Sequence, residues 1–451
     1  MNFNNRAILS HQYYCPIENC TTYYAVIDCD NCFVSCERVF RPDLRNRPIV
    51  VLSNNDGCVV ARSNEAKAMG VKMGMPFYKM REQYGNQITA FSSNYELYGD
   101  MTNRVMTILK RQSPHFIRYS IDEAFLILND KSVSELKPWG EALHQQIRRA
   151  TGMPVSIGIA SNKTLAKMAS HFAKHYAGYR HCCVVDSDER RIKALKQFPI
   201  GEVWGIGRRL TARLNSLDIT TAYDLASRSK EWMQASFNLP TLRTWKELNG
   251  EDAVPTEKPA EKKSICVSRS FDGMIDEIEL LRTYVANYAT RCAAKLRHQQ
   301  TSASTIGVFI DTNRFRTDLP QYSNYAEKRL LTPTDSTIII TQTAEECLEK
   351  IFRQGYQYKR AGVVVSSTEF GVGIQTNLID FNPSNYEKMK QLDKVMDKIN
   401  KIQGSETIVL GSQQFPKSNG NNKAQKFYDV LKHEHRSPSY TTQWDEIIEL
   451  K

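Results

Sequence analysis

Long apolar runs are missing. Nowhere in its 451 residues does the chain approach the roughly 20 consecutive apolar positions that a membrane-spanning helix needs. A composition of 41% hydrophobic and 24% charged residues is that of a soluble globular protein, so no membrane partner is expected. Residues 1–22 lack the basic start, apolar core and small-residue cleavage site of a secretory signal. The expected compartment is the cytoplasm, and residues 1–22 read as an N-terminal extension without assigned function. The eleven cysteines show no disulfide framework, and a cytoplasmic chain keeps its thiols reduced. Cys29 and Cys32 form a C-x-x-C pair with Cys36 nearby, but no second Cys or His pair at finger spacing follows to complete a zinc site. Acidic charge is also scarce: 49 Asp and Glu stand against 60 Lys and Arg, a formal net charge of +11. That balance favours polyanionic partners, nucleic acid first among them.

What is present is organised in blocks. The length exceeds one ordinary core, so three or so domains are expected. Residues 23–27 and 49–52 read as strands, the second closed by the turn-forming 53–57. Residues 63–69 favour a helix ended by Gly70. Residues 117–128 read as two short strands with Asp122 and Glu123 at the bend between them. A strand over 154–160 precedes a helix over 162–174, in which Leu165, Met168, Ala169 and Phe172 recur at helical spacing. This alternation predicts a sheet covered by helices on one side. From 190 to 250 the pattern turns helical, with a tight turn over 203–207 before a helix over 208–217. Residues 251–263, with two prolines and many charges, have linker composition. Beyond them a strand over 264–269, a helix marked by Leu281, Val285, Tyr288, Cys292 and Leu296, and a strand over 304–310 make one β-α-β unit. A strand over 336–341, a helix over 344–352 and a strand over 361–366 make a second, the ferredoxin-like split arrangement. The polar remainder, 371–451, predicts only short helices, ordered on a partner.

Phosphoryl transfer from a nucleoside triphosphate needs divalent metal held by oxygen ligands, so carboxylates must converge. Asp28 ends one strand and Asp122 and Glu123 sit at a strand bend. Pairing of those strands would bring all three acids to one sheet edge, where two Mg2+ ions could lie. A nucleotidyl cyclase or another phosphotransferase could use the same acids, and a non-catalytic DNA-binding scaffold could carry the same net charge.

Four ordered segments narrow this. DCDNCFVSCE at 28–37, VVLSNNDGCVVARSNEAKAMGVKMGMP at 50–76, SSNYELYGDM at 92–101 and YSIDEAF at 119–125 resemble the Y-family translesion DNA polymerases. Within that family the likeness is to the UmuC-type catalytic subunits of bacterial DNA polymerase V, and it extends to SPSYTT at 437–442. The resemblance implies an α+β right-hand fold: a ferredoxin-like palm (23–45 and 95–189), small fingers (46–94), a helical helix-hairpin-helix thumb (190–250), a linker (251–263), a β-α-β-β-α-β little finger (264–370) and a C-terminal partner-binding extension (371–451). It implies error-prone DNA synthesis in the SOS response, in the cytoplasm and associated with the nucleoid.

The resemblance also distributes roles. Asp28 and Asp122 would bridge two metals, Glu123 would bind the hydroxyl-side one, the Cys29 carbonyl would be a backbone ligand, and Asp30 would support. Backbone N–H groups of Asn31, Cys32 and Phe33 would cradle the dNTP phosphates. Phe33 would be the steric gate against a ribose 2′-hydroxyl. Lys67 and Lys174 would contact the triphosphate, with Asn64 where many relatives carry Tyr, and Cys58 would roof the templating base. Gly205, Gly207 and Arg208 would hold primer-template DNA through its phosphates. Gln375, Leu378, Ile379 and Phe381 resemble a sliding-clamp peptide, Ile379 replacing the usual aromatic. The tail resembles the region that meets a UmuD-like accessory dimer and the RecA filament.

Overall fold

The computed structural model describes residues 22–255, 263–370, 383–403, 407–414 and 434–448. These form two compact units, the first made of 22–255 with 434–448 and the second of 263–370, 383–403 and 407–414. Residues 1–21 of the expected 1–22 extension and the clamp-like residues Gln375, Leu378, Ile379 and Phe381 lie outside the described residues. Among the described residues no helix is long and apolar enough to cross a membrane.

In the first unit the chain runs β1 (Tyr23–Cys29), α1 (Cys32–Phe40), β2 (Ile49–Leu52), β3 (Val59–Arg62), α2 (Asn64–Ala68), α3 (Phe77–Tyr84) and β4 (Thr89–Ser92). It continues through α4 (Tyr95–Lys110), β5 (Phe116–Arg118), β6 (Glu123–Leu128), α5 (Val133–Thr151), β7 (Val155–Ala160), α6 (Lys163–His175) and β8 (Cys182–Val185). Five helices follow: α7 (Asp188–Gln197), α8 (Arg208–Asn215), α9 (Ala222–Ala226), α10 (Lys230–Ser236) and α11 (Leu239–Leu248). The main sheet has the order β5-β6-β1-β7-β8, and a small sheet has the order β3-β2-β4.

The expectation of helices on one side of the main sheet is corrected. Alternate residues of a strand face opposite sides, and β1 is apolar on both. Tyr23, Ala25 and Ile27 join a core with Leu97, Tyr98 and Met101 of α4 and Leu136, Leu143 and Ile147 of α5. Tyr24 and Val26 join a second core with Leu165, Ala169 and Phe172 of α6. The continuous run YYAVI therefore marks a central strand sandwiched between two helical layers.

The second unit is β9 (Ser264–Ile275), α12 (Ile278–Gln299), β10 (Thr301–Thr312), β11 (Ser323–Thr334), α13 (Thr337–Ile351) and β12 (Tyr358–Phe370), an antiparallel sheet of order β11-β10-β12-β9. The β-α-β-β-α-β order is present, but the strand expected at 336–341 is helix. Ser336 precedes the first turn of α13, and Ile340, Ala344, Leu348 and Ile351 form a buried helical face. Packing against the sheet overrides the β-branched preference of Thr337 to Thr341. The strand sits earlier, at β11, an edge strand with mostly exposed residues and so without apolar alternation. The expectation of only short helices after 371 is also corrected by α14 (Pro383–Gln403), 21 residues long. Ion pairs join it to α12: Arg297 contacts Asp397 at 2.6 Å and Asp393 at 3.5 Å.

Candidate active site

Asp28 sits near the end of β1, in register with Glu123 of β6 on one side and Ser156 of β7 on the other. The Cys29 N–H donates to the Asp122 carbonyl at 3.0 Å. Segments far apart in the chain thus bring Asp28, Cys29, Asp122 and Glu123 to one end of the central strands. Each acid has a local partner. Lys174 Nζ of α6 donates to Asp28 Oδ1 at 2.8 Å, and Lys167, two turns earlier, pairs with Glu123 at 2.9 Å. Ser120 Oγ donates to Asp122 Oδ1 at 2.6 Å. Asp30 accepts from Ser156 Oγ at 2.8 and 3.0 Å and lies 3.5 Å from Lys174.

Burial pushes the Asp28 and Glu123 carboxyls up from their ordinary values, their lysine partners pull them down, and neighbouring carboxylates add to the rise. Burial works to lower the Lys174 ammonium, but Asp28 and Asp30 outweigh it and raise it. Among the described residues no three acidic, His or Cys side chains converge closely enough to enclose a metal as they stand. Asp28 and Glu123 are drawn to lysines instead. The donor set is nonetheless all hard oxygen, and mutually repelling acids held in check by two ammonium groups are what a divalent cation would relieve.

Lys167 was not legible as a site residue. Its ammonium lies 4.3 Å from the Tyr119 ring centroid and 4.9 Å from that of Trp204, an aromatic setting that fixes it on Glu123. The available signal was spacing, since 167 and 174 share a face two helical turns apart.

Of the residues expected to meet the nucleotide, Asn31, Asn64 and Lys67 form a second cluster. Asn31, at φ 46°, turns the chain from β1 into α1, whose first N–H groups have no carbonyl one turn back. Lys67 Nζ of α2 donates to Asn31 Oδ1 at 2.6 Å, and Asn31 Nδ2 donates to Asn64 Oδ1 at 3.1 Å. Burial and nearby Lys174 lower the Lys67 ammonium. Phe33 is half-buried, stacked on Tyr98 at 4.6 Å and 14° and edge-on to Tyr95 at 5.9 Å. Cys29 and Cys32 are buried, and both thiols are pushed well up, in Cys29 by a hydrogen bond with Cys32 and by burial, so neither is a ready thiolate. The Cys58 N–H donates to Ser53 Oγ at 3.1 Å, its carbonyl accepts the Ser53 N–H at 2.7 Å, and it bridges to Pro76.

In the helical segment Gly205 adopts φ +89°, and a Cβ there would meet Thr244 Oγ1 at 2.8 Å. Gly207 caps α8 without a side-chain bond, and Arg208 opens that helix, exposed. The turn presents free backbone N–H groups beside a guanidinium, a geometry that accepts phosphate.

The sequence matches the impB/mucB/samB family over residues 27–171 and that family's C-terminal domain over 262–378. Over 434 residues it is 38% identical to the protein UmuC of Salmonella typhimurium, covering 95% of this chain and 100% of UmuC. The chain belongs to the impB/mucB/samB family. It is a Y-family translesion DNA polymerase of the UmuC type. MucB of Escherichia coli is 34% identical over 94% of the chain and 98% of MucB. DNA polymerase IV of Corynebacterium diphtheriae is 28% identical over 71% of each. A solved Y-family DNA polymerase chimera of Dbh and Dpo4 shares the fold, with a TM-score of 0.64 at 20% identity over 77% of this chain and 100% of the other. Residues 390–450 of this UmuC-type polymerase match a domain of unknown function.

Proposed function

We propose that this polymerase adds deoxynucleotides to a primer 3′-hydroxyl at the acidic end of β1, where Asp28 and Asp122 would together hold two Mg2+ ions, with Glu123 as a ligand on the hydroxyl side and the Cys29 carbonyl as a further one. The observation that carries the reading is the register of Asp28 against Glu123, with Asp122 bonded to Cys29 beside them. Bound magnesium supplies the charge that lowers the pKa of the primer hydroxyl and steadies the leaving pyrophosphate. The chain's own residues do the rest. Backbone N–H groups of Asn31, Cys32 and Phe33 face the triphosphate, and Lys67, Lys174 and Asn64 bring positive charge and donors to it. Phe33, resting on Tyr98, closes the space a 2′-hydroxyl would need. Lys167 holds Glu123 in place until the site is charged. Cys58 lies over the templating base.

The main sheet with α4 to α6 then serves as palm, the small sheet as fingers and the five helices after β8 as thumb. Gly205, Gly207 and Arg208 grip DNA phosphate without reading sequence. Residues 264–370 of the second unit, β9 to β12 with α12 and α13, serve as the little finger. The contacts with a sliding clamp, a UmuD-like dimer and a RecA filament fall to residues after 371, and the polymerase works at the nucleoid in the SOS response. Primer extension with Mg2+ on undamaged and abasic templates tests the reading. Template-directed addition on both is expected, and no extension with or without clamp and accessory dimer would overturn it.

A further inference from the structure

The C-terminal residues fold back onto the first unit, and their contacts converge on the underside of the proposed sugar gate. The Glu434 N–H donates to Asp56 Oδ2 at 3.1 Å. Ser92, the last residue of β4, donates its N–H to the His435 carbonyl at 3.0 Å and accepts the His435 N–H on its hydroxyl at 3.0 Å. Arg436 pairs with Glu96 at 2.8 Å. Asn94, which caps α4, donates to the Ser437 carbonyl and hydroxyl at 3.1 Å and to the Pro438 carbonyl at 3.3 Å. Tyr440 stacks on Phe40 of α1 at 4.7 Å and 11°. The segment thus ties the small sheet to the α1–α4 layer through buried polar contacts, beyond what a solvated tail would form.

Its deepest contact is specific. Ser437 Oγ donates to Glu37 Oε1 at 3.0 Å, and the same oxygen accepts from Tyr98 Oη at 2.6 Å. Glu37 and Tyr98 are both 0% exposed. The Tyr98 ring lies flat under Phe33. A four-residue chain therefore runs Ser437, Glu37, Tyr98, Phe33. Removing Ser437 leaves a buried carboxyl short of a partner, and a buried polar group short of a partner shifts its neighbours or costs stability.

We propose that residues 434–440 are an intramolecular strap that positions the sugar gate, with Ser437 and Glu37 as positioning residues for deoxyribose selection. The proposal rests on the reading of Phe33 as that gate, and it gives the C-terminal end of the domain of unknown function a role within the polymerase itself. The strap reaches Tyr98 through Glu37, and none of its contacts named above is with a group assigned to the reacting atoms.

The test uses the full chain, with ribonucleotide and deoxynucleotide insertion measured by single-turnover primer extension and backbone exchange followed by mass spectrometry. Ser437→Ala should raise ribonucleotide insertion relative to deoxynucleotide about fivefold, the scale of one lost hydrogen bond. It should also speed exchange across 31–40, with DNA affinity unchanged. Ser437→Thr, which keeps the hydroxyl, should restore both values. Tyr98→Phe, which keeps the ring, should match Ser437→Ala, and the double variant should lose no more than either, because both break one chain. Unchanged exchange across 31–40 in Ser437→Ala, or strictly additive effects in the double variant, would overturn the strap. If Phe33→Ala leaves sugar selection unchanged while Ser437→Ala still alters exchange, the gate reading itself fails and takes the strap's selective role with it.

Discussion

The proposed choice of sugar rests on one ring, Phe33, stacked on Tyr98. Phe33→Ala should increase ribonucleotide insertion at least about tenfold relative to deoxynucleotide, the low end of what pocket shape discriminates, as read by competitive primer extension. Glu37 gives a residue-scale prediction of another kind. Burial raises its carboxyl from 4.5 to about 7, with Tyr98 and Ser437 opposing through hydrogen bonds. A folded-state value above the unfolded one means that the native state binds the proton more tightly. The stabilising contribution is therefore whole below about pH 4.5 and is lost as pH rises through about 7. Melting temperature should fall between pH 5 and 8, and Glu37→Gln should flatten that part of the profile. A Glu37→Gln curve parallel to wild type would contradict the assignment. Asp28, Asp122, Glu123, Phe33, Asn64, Lys67 and Lys174 were legible because motifs carry them, and the fold brings Asn31, Asn64 and Lys67 into one hydrogen-bonded cluster. Lys167 was not, since a helix lysine looks solvated until Glu123 and the rings around it are placed. The Ser437–Glu37 contact was illegible for a plainer reason: it joins residues 400 positions apart.

Among the elements, α6 does most to assemble the site, since it carries both lysines that meet the acids. It can lie that close to the sheet because β7 has Gly158 beneath it. A Cβ at Gly158 would come within 2.0 Å of the Ser170 nitrogen and 2.1 Å of the Ala166 carbonyl oxygen. Both are backbone atoms of α6, so relief requires moving the helix. Gly158→Ala should cost at or above the upper end of roughly 1–3 kcal/mol for an overpacked core, measured by denaturant titration, with nucleotide addition lost together with the shift of Lys167 and Lys174. Strands with two apolar faces, such as β1 and β7, were readable from sequence. The edge strand β11 was not, because exposed edge residues need no alternation, and only the start of α13 read as strand, because Thr-Ile-Ile-Ile-Thr favours extended backbone until the packing face is known.

For the molecule as a whole, the formal charge of +11 sets how tightly DNA is held more than which DNA. Binding should weaken steeply with salt. Arg208→Ala should lower affinity to a similar degree on any template sequence and reduce the slope of log affinity against log salt by about 1, as one phosphate contact is lost. A sequence-dependent loss would contradict a backbone contact there. The two-unit architecture was foreshadowed by the charged, proline-bearing stretch at 251–263, whereas the return of 434–448 to the first unit carried no signal of charge or periodicity. The most direct test of the central claim is single-nucleotide insertion with Mg2+ by wild type and by the Asp122→Ala, Glu123→Ala double variant, with primer-template binding measured alongside. Binding should persist while insertion falls more than about a thousandfold, several kcal/mol at about 1.36 kcal/mol per decade. A double variant that still inserts nucleotides near the wild-type rate would contradict it.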